Sequence, residues 1–126
     1  MKKLLLLLVT SLLSISCNAK NYESLSAKTF QEKIKIEKNP QILDVRSPEE
    51  FVTGHIENAI NINWNGTDFN DKIRSFDKTK AIFVNCQGGG RSKKAADRLF
   101  SLGFKTIYEL KGGMNEWSSN NLPIIR

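Results

Sequence analysis

Residues 81–103 read AIFVNCQGGGRSKKAADRLFSLG and contain the stretch that decides the fold. Positions 81–85 form an apolar, β-branched run typical of a buried strand. Positions 91–102 repeat apolar residues at helical spacing, and Gly103 is suited to end that helix. A glycine-rich loop, residues 86–90, joins the two. This strand–loop–helix unit predicts an α/β protein.

The rest of the chain continues the same alternation. Pro and Gly residues and capping patterns, such as Ser47-Pro48-Glu49-Glu50, separate its segments. Further strands are predicted over residues 41–45, 59–62 and 106–110, and helices over 26–38, 47–54, 67–76 and around Trp117. Strands alternating with helices favour a mainly parallel sheet with helices on both faces. Ligands of such sheets bind beyond the C-terminal ends of the strands, where Cys86 lies.

Composition limits the class of protein. A chain of 126 residues is long enough for one domain, which we place at residues 20–126. Its 40% hydrophobic and 25% charged residues are ordinary for a soluble domain. The net charge of +6 comes from dispersed lysines without interleaved aromatic residues, so we expect no nucleic-acid partner. Two cysteines exclude a disulfide-stapled scaffold.

Residues 1–19 have the composition of a signal peptide. Lys2 and Lys3 precede an apolar run over residues 4–16, and small residues follow it. This run is shorter than the about 20 apolar residues that span a bilayer. The pattern predicts export, with a periplasmic location in a bacterium. Removal of the segment lowers the net charge from +6 to +4, because Lys2 and Lys3 are its only charged side chains.

Two cleavage positions fit this segment. Cleavage before Cys17 would resemble bacterial lipoprotein processing, in which that cysteine receives lipid and becomes the N-terminus. The lipoprotein pattern usually has Leu three residues before the cysteine, where this chain has Ser14. Cleavage after Ala19 would instead release a soluble protein. We favour lipidation at Cys17, with membrane attachment through that lipid.

The loop after the strand carries the chemistry. Cys86 is followed by Gln87 and the three glycines 88–90, and glycines allow backbone N–H groups to converge on one point. The helix N-terminus adds partial positive charge, and Arg91 acts in the same direction. A thiol in such surroundings ionises more easily than a free cysteine. A small buried hydrophobe is the other interpretation of a lone cysteine.

Other site chemistries find less support. The single histidine, His55, cannot build a histidine-based zinc site with one cysteine, so we expect no metal. Spacing alone leaves a dyad of Cys86 and His55 open. The three glycines do not form a phosphate-binding P-loop, because the Lys-Ser/Thr ending is absent.

At this point the residues indicate a family. The loop from Cys86 to Ser92 resembles the active-site loop of rhodanese domains. Three further motifs stand in that family's order: LDVR at 43–46, EF…GHI…AINI at 50–62, and LKGG…W at 110–117. The resemblance covers about residues 25–124. The resemblance implies a single-domain sulfurtransferase with a sheet of about five mainly parallel strands and no cofactor or metal.

The resemblance also implies roles for individual residues. Cys86 would be the nucleophile that takes a sulfur atom from a donor such as thiosulfate and passes it, as a persulfide, to cyanide or a thiol. Asp44 and Arg46 would pair and support the site, and we expect His55 to be structural. Many relatives carry a charged side chain at Gln87, so the donor stays open. The family resemblance would make the loop the substrate-binding segment: Gln87, Gly88, Gly89, Gly90, Arg91 and Ser92.

Two other functions compete with sulfur transfer. Phosphatases and arsenate reductases of the rhodanese fold share the cysteine and arginine, but their loop has one more residue between them. The second alternative is a persulfide carrier or a non-catalytic binding module. The sequence leaves the physiological donor, the acceptor and the oligomeric state open, and we expect a monomer.

Overall fold

The computed structural model describes residues 20–126, so the predicted signal peptide and Cys17 lie outside the described residues. Within this range no helix combines the length and apolar character needed to cross a membrane. A short 3₁₀ turn, Ile73–Ser75, accompanies the regular elements. These are β1 (Glu23–Leu25), α1 (Ala27–Ile36), β2 (Gln41–Asp44), α2 (Pro48–Val52), β3 (Ile60–Asn61), α3 (Phe69–Lys72), β4 (Ile82–Asn85), α4 (Gly90–Ser101), β5 (Ile107–Leu110) and α5 (Gly113–Ser119).

The five strands form one sheet in the order β1-β5-β4-β2-β3, and every pair is parallel. Residues of β4 alternate between two apolar clusters. Ile82 and Val84 pack with α4, whereas Phe83 packs with α1 and α5. Helices therefore cover both faces, which confirms the fold predicted from the sequence.

The strands bring the candidate residues to one edge of the sheet. Asp44 at the end of β2 is in register with Asn85 at the end of β4. The backbone N–H of Val45 donates to the Asn85 carbonyl at 2.9 Å, which continues the pairing by one residue. Cys86 therefore emerges beside the segment that carries Arg46, as expected for the C-terminal edge of a parallel sheet.

One segment differs from the sequence-based prediction. The sequence predicts no strand before residue 41, but Glu23 begins β1 and lies opposite Tyr108 of β5. A strand of three residues is too short to show the alternation that identifies strands. The other predicted strands and helices are present with bounds that differ by one or a few residues, except that the helix predicted over 67–76 is the four-residue α3 followed by the 3₁₀ turn Ile73–Ser75. The Ser47–Glu50 capping box predicted for α2 is formed by both side chains.

Candidate active site

Cys86 directly follows the last residue of β4 and is only 1% exposed. The Gly89 N–H donates to its Sγ atom at 3.0 Å. Gly89 has φ +100°, a left-handed conformation that favours glycine, and α4 begins at the next residue. The sulfur therefore lies against a tight turn whose N–H group and helix N-terminus both favour negative charge. Of the loop N–H groups expected to face the sulfur, the structure shows that of Gly89 in hydrogen-bond contact.

The N-terminal residues of α5 contact the backbone of the same loop. The Met114 N–H donates to the Cys86 carbonyl at 2.8 Å, and the Asn115 N–H donates to the Gln87 carbonyl at 3.0 Å. Gly113, with φ +59°, lies so close that a Cβ atom there would be 2.5 Å from both carbonyl oxygens. The contact thus fixes the backbone at the start of the loop and requires glycine at residue 113.

Arg91 is engaged by an acidic partner on α2. Its Nη1 and Nη2 atoms donate to the Glu50 carboxylate at 2.6 and 2.9 Å. The hydrogen bonds from Arg91 lower the pKa of Glu50 to about 2, against a desolvation effect that raises it, and bonds from Ser47 add to the lowering. The pKa of Arg91 is raised chiefly by the same contact, with the Cys86 charge as a weaker cause. Arg91, which the resemblance places in the substrate-binding loop, therefore links α4 to α2.

Asp44 and Arg46 form a buried ion pair at 2.8 Å, and the Arg46 side chain is only 2% exposed. The Arg46 Nη1 atom donates to the Gln87 side-chain oxygen at 3.0 Å, and Nη2 donates to the Gly54 carbonyl at 2.7 Å. The Gln87 side-chain nitrogen donates to Asn115 Oδ1 at 2.6 Å. Arg46 thus positions the Gln87 side chain. Beside it lies a cavity of about 120 Å³ lined by Arg46, Thr53, Gly54, Gln87, Met114, Ser118 and Ile124.

His55 has a structural environment. Its ring stacks on Phe51 with centroids 3.8 Å apart, and Nδ1 lies 3.1 Å from the Phe51 carbonyl. Its backbone forms an antiparallel bridge with Ile125. Within residues 20–126 the hydrogen bonds of Cys86 Sγ go to Gly89 and Ser92, so the Cys–His dyad that spacing left open is not formed.

The sequence did not indicate the carboxylate that is linked to this sulfur through one hydroxyl group. Cys86 Sγ lies 3.4 Å from Ser92 Oγ, which in turn donates to Glu109 Oε1 at 2.8 Å. Glu109 is in the middle of β5 and fully buried, and Ser24 Oγ donates to its other oxygen at 2.6 Å. The available signal was a charged residue inside an apolar strand, a position that charged side chains seldom occupy unless they have partners.

The chain matches a family model described as "Rhodanese-like domain" over residues 26–120. Two similar proteins come from Arabidopsis thaliana. Thiosulfate sulfurtransferase 16 is 40% identical over 64% of this chain and 76% of its own length. Thiosulfate sulfurtransferase 18 is 32% identical over 88% of this chain and 90% of its own length.

Other relatives are longer or are known as structures. The adenylyltransferase and sulfurtransferase UBA4 of Candida albicans is 32% identical over 75% of this chain but 23% of its own length. The crystal structure of a rhodanese-related protein from Thermoplasma volcanium has a TM-score of 0.72 and 33% identity, covering 82% of this chain and 98% of that one. The crystal structure of a rhodanese-like domain protein from Staphylococcus aureus has a TM-score of 0.70 and 32% identity, covering 82% of this chain and 99% of that one. The chain belongs to the rhodanese-like domain family.

Proposed function

We propose that this protein is a sulfurtransferase that carries sulfur as a persulfide on Cys86. The Cys86 thiolate attacks the outer sulfur of thiosulfate, and the S–S bond of thiosulfate breaks. Sulfite leaves with the bonding electron pair. An acceptor, cyanide or a thiol, then attacks the outer sulfur of the persulfide, and the Cys86 thiolate is released.

The observation that carries this proposal is the hydrogen bond from the Gly89 N–H to Cys86 Sγ at 3.0 Å. An N–H group aimed at sulfur stabilises the negative charge that sulfur bears before attack and after discharge. The names of the relatives support the same reaction class. The loop geometry supports a compact site, because only Gln87 to Gly90 separate Cys86 from Arg91.

Mass spectrometry of the protein after incubation with thiosulfate tests the proposal. We expect a mass gain of one sulfur atom on Cys86, and turnover when cyanide is added. The variant Cys86→Ser should remain folded but lose both the mass gain and the turnover, because an alcohol cannot form a persulfide. A mass gain without turnover would instead indicate a sulfur carrier.

A parallel assay with an aryl phosphate separates the two enzyme classes that share this fold. The wild-type kcat/KM for thiosulfate should exceed that for the aryl phosphate. A tetrahedral phosphate needs more loop donors than this short loop presents, and a misplacement of about 1 Å can cost on the order of 10²-fold in rate. A ratio below one would favour a phosphatase.

We also propose that the protein is exported and attached to the membrane by lipid at Cys17.

A further inference from the structure

A second chain of hydrogen bonds, separate from the one donated by the Gly89 N–H group, reaches the sulfur. It runs from Ser24 on β1 to Glu109 on β5, then to Ser92 on α4 and to Cys86 Sγ, over distances of 2.6, 2.8 and 3.4 Å. Glu109 and Ser92 have no exposed surface. The sulfur-transfer steps above assign no part to Glu109 or Ser24.

Glu109 has the environment of a carboxylate without a cation. Each of its two oxygens accepts one hydroxyl hydrogen bond, the arrangement expected for the ionised form. Within residues 20–126 no lysine or arginine forms an ion pair with it. The negative charge is therefore placed two hydrogen bonds from the sulfur and is not neutralised by a neighbouring side chain.

The Ser92 hydroxyl is turned away from the sulfur. The hydroxyl has one proton, which it can donate to Glu109 Oε1 at 2.8 Å or to the Gly89 carbonyl at 3.2 Å. In either case the proton points away from Cys86 Sγ. A lone pair of Ser92 Oγ then faces the sulfur and accepts the thiol S–H. This arrangement favours the protonated sulfur, whereas the Gly89 N–H favours the thiolate.

We propose that Glu109, acting through Ser92, is a positioning residue that limits how far the loop stabilises the Cys86 thiolate. The nucleophilicity of a thiolate falls as its basicity falls, with a Brønsted coefficient of about 0.4–0.5. A thiolate that is stabilised too strongly attacks a sulfur donor slowly. Glu109 keeps the sulfur basic enough to attack, at the expense of slower release of the thiolate when the persulfide is discharged.

Other ionisable groups around the chain are accounted for. Tyr22, before β1, has its pKa raised by burial first and then by the charges of Asp97 on α4 and Glu109. On the loop side, Arg91 is the cation whose charge interacts with Cys86, and it is paired with Glu50. Within residues 20–126 the side-chain hydrogen bonds of the Glu109 carboxylate come from Ser24 and Ser92 and from neither of these groups, so the effect of a change at Glu109 can be measured at the sulfur.

The test compares Glu109→Gln with the wild type by the pH dependence of iodoacetamide alkylation of Cys86. Gln keeps the shape and the acceptor oxygen but removes the charge. We expect the midpoint of the profile to fall by about one to two pH units, since the lost charge lay within about 6 Å of the sulfur. The limiting rate at high pH should fall by about three- to tenfold. Glu23→Gln, which removes an exposed charge one residue before Ser24, should leave both values unchanged.

A fall in the midpoint together with a fall in the limiting rate at high pH would not follow from a merely structural role. A midpoint that stays or rises in Glu109→Gln overturns the proposal. Should that variant fail to fold, Ser92→Ala provides the second test, because alanine is well tolerated in a helix. Loss of the S–H acceptor should lower the midpoint. A rise would show that the hydroxyl donates to the thiolate and would refute the assigned role.

The consequence for sulfur transfer rests on the proposed function and is measured separately. In single-turnover experiments above the midpoint, Glu109→Gln should take up sulfur from thiosulfate more slowly and discharge it to cyanide faster than the wild type. Alkylation needs no sulfur donor. A shifted alkylation profile in a protein that takes up no sulfur would therefore refute the proposed function while leaving the role of Glu109 intact.

Discussion

Gly113 occupies a point where a side chain has no room. A Cβ atom would lie 2.5 Å from the carbonyl oxygens of Cys86 and Gln87, and φ is +59°. We expect Gly113→Ala to lower the free energy of unfolding by about 2 to 4 kcal/mol, through backbone strain and steric overlap. Sulfur transfer should fall as well, because these two carbonyls begin the loop. Urea denaturation and the cyanide assay measure the two effects.

Gly90 provides the matched control for stability. A Cβ atom at this residue would meet no heavy atom within 4 Å, and its φ lies outside the left-handed region. The free energy of unfolding of Gly90→Ala should therefore lie within about 1 kcal/mol of the wild-type value or above it. If Gly113→Ala were as stable as Gly90→Ala, the close contact of Gly113 with the Cys86 and Gln87 carbonyls would be contradicted.

The candidate nucleophile could be found from the sequence, whereas the carboxylate behind it could not. Cys86 stands between a clear strand and three glycines, so the evidence for it is local. Glu109 and Ser24 approach Ser92 only because β1 pairs with β5 and α4 packs on β5. Hydrogen bonds between residues 85 positions apart leave no local pattern.

At the level of elements, the ion pair of Glu50 and Arg91 joins α2 to α4. The two side chains are about one-third exposed, so we expect Glu50→Gln to lower the free energy of unfolding by about 1 kcal/mol at pH 7. Gln can still complete the capping box of α2, so the variant isolates the ion pair. Chemical denaturation at several pH values gives the measurement.

The pH dependence of this difference has a definite sign. The pKa of Glu50 is lowered in the folded protein from 4.5 to about 2. Its contribution is therefore fully present above about pH 4.5 and is lost as the pH falls toward 2. Glu49→Gln changes an exposed carboxylate one residue away and serves as the control. A Glu50→Gln difference that persisted undiminished at pH 2 would contradict the ion-pair explanation.

The helices of the site could be predicted better than one of its strands. The capping box of α2 and the glycine that ends α4 are local signals, and both lie where the sequence places them. β1 has three residues, and within residues 20–126 its strand partner is β5, more than 80 residues later in the chain. Its formation depends on long-range pairing, which local patterns do not report.

At the level of the whole molecule, the proposed lipid anchor is testable directly. Labelled palmitate should enter the precursor in a bacterial host, and Cys17→Ala should abolish both labelling and membrane retention. Cys86→Ser serves as the control, because it removes the other cysteine and should leave labelling unchanged. An unlabelled wild-type protein found free in the periplasm would favour cleavage after Ala19 instead.

The alternation of strands and helices was sufficient to predict the parallel sheet, because crossover connections permit few other arrangements. The order of the strands was not predictable in the same way. It depends on which strand occupies the edge beside β5, and that strand is the short β1.

The position of β1 also affects when the molecule can fold. Leu25 pairs with Leu110, so the first strand to be synthesised has no partner until the ribosome has made nearly the whole chain. Non-local pairings of this kind slow folding, because a long loop must close before they form. The sheet of the nascent polypeptide is therefore completed late. Under the export that we propose, a chain whose sheet closes late can still pass through a translocation channel.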